Sequence, residues 1–92
     1  MITIVKVAEL KPVGDKALWF RFSDGSEGAY DFSEMLESGG PMVEALRNPD
    51  FFQLAYIACG VPSWPNGFDL DAIALHMEMK EAGSLSIPQA AE

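Results

Sequence analysis

The chain has 92 residues, of which 49% are hydrophobic and 22% are charged, a composition that is typical of one globular domain and excludes intrinsic disorder. Fourteen acidic residues against six basic ones give a formal net charge of −8, which disfavours direct binding of nucleic acid because phosphates repel an acidic surface. The single cysteine, Cys59, excludes an internal disulfide bond and is consistent with a reducing cytoplasm.

The chain begins with a predicted strand. Residues 2–10 (ITIVKVAEL) are rich in β-branched side chains, and their apolar alternation slips by one residue near Ile4 and Val5, which indicates a bulge. Residues 11–15 (KPVGD) contain proline and glycine, and they predict the turn that ends this strand.

Residues 17–22 (ALWFRF) alternate between apolar and other side chains and predict the second strand. Its expected buried face consists of Leu18, Phe20 and Phe22. Asp24-Gly25 is typical of a two-residue hairpin loop, because a type I′ turn needs positive φ at both central residues. Such a loop would lead into a third strand and place Trp19 opposite Tyr30 on the outer face of the hairpin.

Two short helical segments are predicted next. Residues 31–40 (DFSEMLESGG) predict a helix that is capped by Asp31, has Glu34 at the capping-box position and stops at a left-handed Gly39. Residues 41–49 (PMVEALRNP) predict one or two further turns of helix, opened by a proline and closed by Asn-Pro.

A second pair of strands is predicted around Cys59-Gly60. Residues 51–58 (FFQLAYIA) are apolar and aromatic, and their second half predicts a strand that turns at Cys59-Gly60. Residues 61–64 (VPSW) predict a short returning strand at a sheet edge, because Pro62 cannot donate to a ladder.

The last predicted element is a helix capped by Asp71 that runs to about Ala82 and stops at Gly83. Its expected apolar stripe consists of Ile73, Leu75, Met77, Met79 and Ala82. Residues 84–92 predict a loosely ordered C-terminal tail, which leaves 1–83 as a single compact domain.

The order of elements is therefore β-β-β-α-β-β-α. Consecutive strands joined by tight turns favour antiparallel pairing. We expect an α+β fold with an antiparallel sheet and helices packed on one face. No segment has the pattern of a signal peptide or the ~18 apolar residues of a membrane helix, so we expect neither.

Several motifs together resemble a family of small bacterial proteins known as domain of unknown function 2442. They are FSDG at 22–25, LRNPDFF at 46–52 and WPNGFDL at 64–70, and the resemblance covers about residues 3–76. The chain departs from the family pattern at Ala72, where many members have proline, and at His76, where an aromatic residue is common.

The resemblance implies little about activity, since none is established for the family. Some members precede a helix-turn-helix domain in longer regulators. Many look to be encoded beside another small protein, in an arrangement similar to a toxin–antitoxin pair. No helix-turn-helix segment follows in this sequence, so a DNA-binding role is not implied for it.

The WPNGFDL segment at 64–70 favours turn chemistry. Pro65, Asn66 and Gly67 suit successive positions of a turn, Trp64 can anchor one end, and Asp69 can accept hydrogen bonds from free backbone N–H groups. The functional alternative is that Trp64 and Asn66 present a recognition surface. The segment is thus the candidate loop or interaction motif.

Three residues suggest chemistry of another kind. His76 is the single histidine and lacks an evident partner, and Cys59 precedes a glycine with no base in the neighbouring sequence. Asp69 and Asp71 are close enough in sequence to bind a divalent ion weakly, but capping and loop bracing also explain them. We predict no catalytic residues, no metal ion and no cofactor.

The sequence thus predicts a non-catalytic protein-interaction module in the cytoplasm. Its partner would be a small basic protein or a second copy of the chain, because an acidic surface attracts basic ones. So short a chain must also leave large apolar side chains exposed, and the predicted surface aromatics are Trp19, Tyr30 and Tyr56.

Alternative functions remain open. The first is that of an accessory domain in transcriptional regulation, and the second is that of a small-ligand binder or enzyme that uses Asp69 and His76, with Cys59. In the leading hypothesis, by contrast, the edge of residues 61–64 or of the first strand could accept a strand from the partner.

Overall fold

The computed structural model describes residues 5–86. Five strands are present: β1 (Val7–Gly14), β2 (Ala17–Phe22), β3 (Glu27–Asp31), β4 (Tyr56–Ala58) and β5 (Val61–Ser63). The helices are α1 (Ser33–Ser38), α2 (Pro41–Glu44), α3 (Pro49–Phe52) and α4 (Ala72–Glu81), with a 3₁₀ turn at Ala45–Arg47 between α2 and α3.

The architecture is α+β, as predicted. β1, β2 and β3 form an antiparallel sheet in that order, and β4 pairs with β5 in a separate antiparallel ribbon. Leu18, Phe20 and Phe22 all point to one face of β2, where they are buried against side chains from the helices. The β-β-β-α-β-β-α order is therefore confirmed, with the first α position occupied by α1, α2 and α3.

The predicted turn at 11–15 is wrong in most of its length, because β1 continues through Lys11 to Gly14. Pro12 lies opposite Leu18 and is accommodated because β1 is an edge strand, whose outer side needs no ladder hydrogen bonds. The register is irregular between Val7 and Glu9 and between Pro12 and Gly14. The bulge predicted near Ile4 and Val5 falls at the limit of the described range and stays a prediction. Residues 2–4 of the predicted strand lie outside the described range.

The hairpin loop between β2 and β3 has three residues and not the predicted two. Phe22 N–H donates to the Ser26 carbonyl at 2.8 Å, and Gly25 has a φ of +89°. Asp24 Oδ1 accepts from both the N–H and the hydroxyl of Ser26, which stabilises the wider turn. The register consequently shifts by one residue, so that Leu18 and not Trp19 lies opposite Tyr30.

The short helices begin and end partly as predicted. Asp31 Oδ1 accepts from Ser33 N–H at 2.8 Å, although the residue before α1 is Phe32. Gly39 ends α1 without the predicted left-handed conformation, since its φ is −75°. It is instead required by close packing, because a Cβ there would lie 2.6 Å from the Cβ of Val43.

Helix α4 begins and ends where predicted, but its buried face differs from the expected stripe. Asp71 caps it through Ile73 N–H, and Gly83 follows it with a φ of +77°. The side chains that face the core are Ala72, Leu75 and Met79. Ile73 and Met77 are 38% and 55% exposed, because only one side of α4 contacts the sheet.

A continuous series of aromatic rings forms the centre of the core. Neighbouring ring centroids lie 5.7–6.1 Å apart along the series Phe22, Phe20, Phe32, Phe52, Trp64 and Phe68. These rings come from β2, the start of α1, α3 and the segment after β5, so the series joins the sheet, the short helices and the C-terminal half. Aromatic contacts of this kind contribute beyond the apolar area that they bury.

Residues 84–86, which follow the domain boundary predicted at residue 83, lie beside β3. Ser86 and Glu27 exchange two backbone hydrogen bonds of 2.8 and 3.0 Å, which pair residues 84–86 with the edge of β3. Residues 87–92 of the predicted tail lie outside the described range. Within 5–86, no helix combines the length and apolar character needed to cross a bilayer.

Candidate functional site

Trp64 of the predicted loop motif is fully buried. Its indole Nε1–H donates to the Phe52 carbonyl at 2.9 Å, and its ring packs between Phe52 and Phe68. The side chain therefore belongs to the core, and it is not available to a partner at the surface.

The rest of the WPNGFDL segment closes a tight turn. Gly67 N–H donates to the Trp64 carbonyl at 3.0 Å, and Gly67 has a φ of +93°, a conformation that favours glycine. Asn66 braces the turn by accepting from Phe68 N–H and by donating to the Met42 carbonyl at 3.0 Å. Pro65 is exposed at the outer side of this turn. The segment thus joins β5 to the chain that returns beside it.

The bracing role predicted for Asp69 belongs to Asn66. Asp69 contributes to the segment through its backbone, which forms an antiparallel bridge with Ser63. Its side chain is exposed, and one backbone N–H of this turn, that of Phe68, donates to Asn66 Oδ1. The amide of Asn66 is better suited because it accepts and donates at the same time.

The three predicted surface aromatics lie on three different surfaces. Trp19 is half-buried on the open face of the sheet, where Lys11 Nζ and Arg21 Cζ lie 4.9 and 5.5 Å from its ring centroid. Tyr56 is 48% exposed on β4, and Tyr30 lies on the helical side of β3. The aromatic residues that the sequence predicts at the surface therefore do not form one shared patch.

Tyr30 lines a surface depression that was not predicted from the sequence. This α1–α4 cleft has a volume of about 380 Å³. Apolar side chains from β3, α1 and α4 line it, together with carboxylates at its rim and one serine. The lining residues are Tyr30, Phe32, Glu34, Met35, Ser38, Leu70, Asp71, Ala74, Leu75 and Glu78. None of these ten is basic, although three are acidic.

The potential in the α1–α4 cleft is negative. The hydrogen bond from the Tyr30 hydroxyl to Glu78 raises the pKa of Tyr30 to about 12, with burial and the charges of Glu78, Glu34 and Asp31 contributing in the same direction. A raised pKa stabilises the folded protein fully below about pH 10, and this contribution is lost as the pH rises through about 12. The carboxylates around the cleft thus disfavour any further negative charge within it.

His76 has a partner that was not predicted. Its Nε2 lies 3.0 Å from Asp24 Oδ2, and its ring packs at 88° to the ring of Phe22 with 5.0 Å between the centroids. This contact joins α4 to the β2–β3 loop. Cys59 lies exposed in the β4–β5 turn, so His76, Asp69 and Cys59 are on three separate elements.

The hydrogen bonds around Asp24 have a consequence for stability against pH. Burial alone would raise the pKa of Asp24, but hydrogen bonds from the Ser26 hydroxyl and N–H and from His76 outweigh it and hold the pKa below its usual range. A lowered pKa contributes stability above the unfolded-state value of about 4, and this contribution is lost as the pH falls through the folded-state value.

We expect Asp24→Asn to lower the free energy of unfolding by about 1 kcal/mol at pH 7, because the side chain is partly exposed and its hydrogen bonds are only partly replaced. The difference from the unmodified protein should shrink as the pH falls below about 4. Urea unfolding at a series of pH values measures it, with Asp15→Asn in the β1–β2 turn as the control. A difference that is constant with pH would contradict this prediction.

Among residues 5–86, no group of three or more His, Cys, Asp or Glu side chains is placed to hold a metal ion. The cleft itself was missed because it depends on contact between segments 30–38 and 70–78, which lie far apart in sequence. The cleft could have been inferred only if a three-residue loop between β2 and β3 had been predicted. This loop length places Tyr30 on the helical side of β3.

Comparison with known proteins identifies one family. The family model described as "Protein of unknown function (DUF2442)" matches residues 7–81, which is most of the chain and includes every lining residue of the α1–α4 cleft. No curated protein and no solved structure matches the chain.

Proposed function

The chain belongs to the family described as protein of unknown function (DUF2442), and from this premise we propose that it is a non-catalytic module that binds a small basic protein. The proposal rests on the α1–α4 cleft, which has an apolar floor and an acidic rim. An exposed apolar surface that is rimmed by polar residues often marks a protein interface.

The charge of the whole chain supports the same partner. The formal net charge is −8, so a basic protein would be attracted over distances of about a Debye length, ~8 Å at physiological salt. Electrostatic attraction of this kind raises the association rate more than it raises the final affinity.

Exposed apolar side chains outside the cleft add contact area to the proposed interface. Large hydrophobic residues with considerable exposure are Val13, Met42, Leu54, Tyr56, Ile57, Ile73 and Met77. Ile73 and Met77 lie one turn apart on the outer side of α4, the helix that forms one wall of the cleft. Binding of a partner over α4 would bury both.

A narrower form of the proposal rests on the family resemblance. In it, the chain is an antitoxin-like partner in the bacterial cytoplasm, and the basic protein is the product of the adjacent reading frame. Self-association of the chain as a homodimer is the competing arrangement.

The test mixes the purified full chain with the purified product of the adjacent reading frame and follows binding by calorimetry and size-exclusion chromatography. We expect a defined complex whose affinity falls as salt concentration rises, because the charged surfaces are screened. Separate elution of the two proteins, or a homodimer of the chain that excludes the second protein, would contradict the proposal.

A further inference from the structure

We infer that the α1–α4 cleft receives an arginine side chain of the basic partner, with the alkyl part over Met35 and Leu70 and the guanidinium among the rim carboxylates. This inference rests on the proposed function and identifies the group that the site recognises. It concerns one side chain of the partner, whereas the proposed function concerns the partner as a whole.

The size of the cleft favours a single long side chain. A volume of about 380 Å³ is near the lower end of ligand pockets, and it is too small for a helix with its side chains. Met35 and Leu70 line the cleft and are half-buried, so an alkyl chain placed there would meet apolar surface. Arginine carries such an alkyl chain below its charged group.

The rim of the cleft is suited to a cation with several donors. Glu34 comes from α1, Asp71 from the cap of α4 and Glu78 from the second turn of α4. Asp71 uses Oδ1 to cap the helix and Glu78 uses Oε2 for Tyr30, while Asp71 Oδ2 and Glu78 Oε1 accept no hydrogen bond from residues 5–86. A guanidinium has five N–H donors in a fixed plane and can contact more than one carboxylate.

The charges around the cleft also favour a cation as its occupant. The pKa of Tyr30 is raised to about 12 by its hydrogen bond to Glu78, by burial, and by the charges of Glu78 and Glu34, which oppose a new negative charge. The same field attracts a positive charge, and none of the ten lining residues supplies one. A partner's cation would relieve the repulsion between carboxylates around a small space.

The probe for this inference is N-acetyl-arginine N-methylamide, titrated into the ¹⁵N-labelled full chain and followed by NMR. We expect saturable shifts of backbone signals in residues 32–38 and 70–78, with little change at Trp19 and at Tyr56. The corresponding lysine and glutamate amides serve as comparisons. Equal saturation by lysine would overturn the assignment to arginine, and diffuse shifts without saturation would overturn the site.

Matched variants separate the cleft from the general charge of the chain. E34Q/E78Q removes two rim charges, and we expect it to weaken probe binding about tenfold, since each lost charge contact contributes about 0.7 kcal/mol. E37Q/E81Q makes the same change of net charge on the same two helices, at residues that do not line the cleft. Equal weakening by both pairs would overturn the inference.

Two further measurements keep the result unambiguous. The amide that E78Q introduces still offers an oxygen to Tyr30. E34Q alone removes no side-chain hydrogen bond within residues 5–86, so it replaces the double variant if that one unfolds. Binding of the same variants to the product of the adjacent reading frame then distinguishes the two proposals. A complex that forms equally well with all variants would overturn the arginine site and leave the proposed function standing.

Discussion

Trp64→Ala is expected to lower the free energy of unfolding by about 4 kcal/mol, which is the usual cost of removing a fully buried large aromatic side chain. Trp64 is completely enclosed and joins the aromatic series between Phe52 and Phe68. Its loss also leaves the Phe52 carbonyl without its indole donor. A domain of this length has roughly 5–14 kcal/mol of stability in total, so the change removes a large part of it. Urea unfolding followed by circular dichroism measures the effect.

Two companion variants define the origin of the effect. Trp64→Phe keeps an aromatic ring but removes the donor to the Phe52 carbonyl, and it should cost about 2 kcal/mol. Tyr56→Ala removes an aromatic side chain that is 48% exposed, and it should change stability by less than about 0.5 kcal/mol. If Trp64→Ala unfolds at the same urea concentration as Tyr56→Ala, the ring is not an anchor of the core.

The fold class could be predicted because its signals are local. Leu18, Phe20 and Phe22 occupy alternate positions of β2, and this spacing alone identifies the buried face of the strand. Asp71 and Gly83 define the ends of α4 through contacts within a few residues. Such signals require no knowledge of distant segments.

Strand register was less predictable because two loop lengths compete at Asp24-Gly25. Both a two-residue and a three-residue loop accept glycine at positive φ. The hydroxyl of Ser26 and the ring of His76 bond to Asp24 in the wider form, and the second of these contacts comes from the far end of the chain. A shift of one residue is enough to move Tyr30 from the outer face to the cleft.

The candidate site was predictable only in part. The WPNGFDL segment was interpreted mainly as turn chemistry, and its hydrogen bonds agree with that interpretation except at Asp69. The α1–α4 cleft was not predicted, because Glu34 and Glu78 each resemble ordinary solvent-exposed helix residues in sequence. Only the packing of α1 beside α4 places them around one apolar floor.

Gly28→Ala is expected to lower the free energy of unfolding by about 2 kcal/mol, as overpacking against fixed atoms typically does. A Cβ at Gly28 would lie 2.0 Å from the Ser84 carbonyl oxygen, which is a backbone atom and cannot rotate away. Relief therefore requires residues 84–86 to leave the edge of β3, with loss of both hydrogen bonds between Glu27 and Ser86. Amide hydrogen exchange at Glu27 and Ser86 should accelerate along with the loss of stability.

Gly40→Ala is the matched control for Gly28→Ala, because a Cβ at Gly40 meets nothing within 4 Å and its φ of −87° suits any residue. It should leave stability within about 0.5 kcal/mol of the unmodified protein. Comparison of the two variants separates the contact with Ser84 from the general effect of replacing glycine. That general effect is slightly stabilising, because alanine lowers the conformational entropy of the unfolded chain. Unchanged exchange at Ser86 in Gly28→Ala would mean that residues 84–86 do not cover β3.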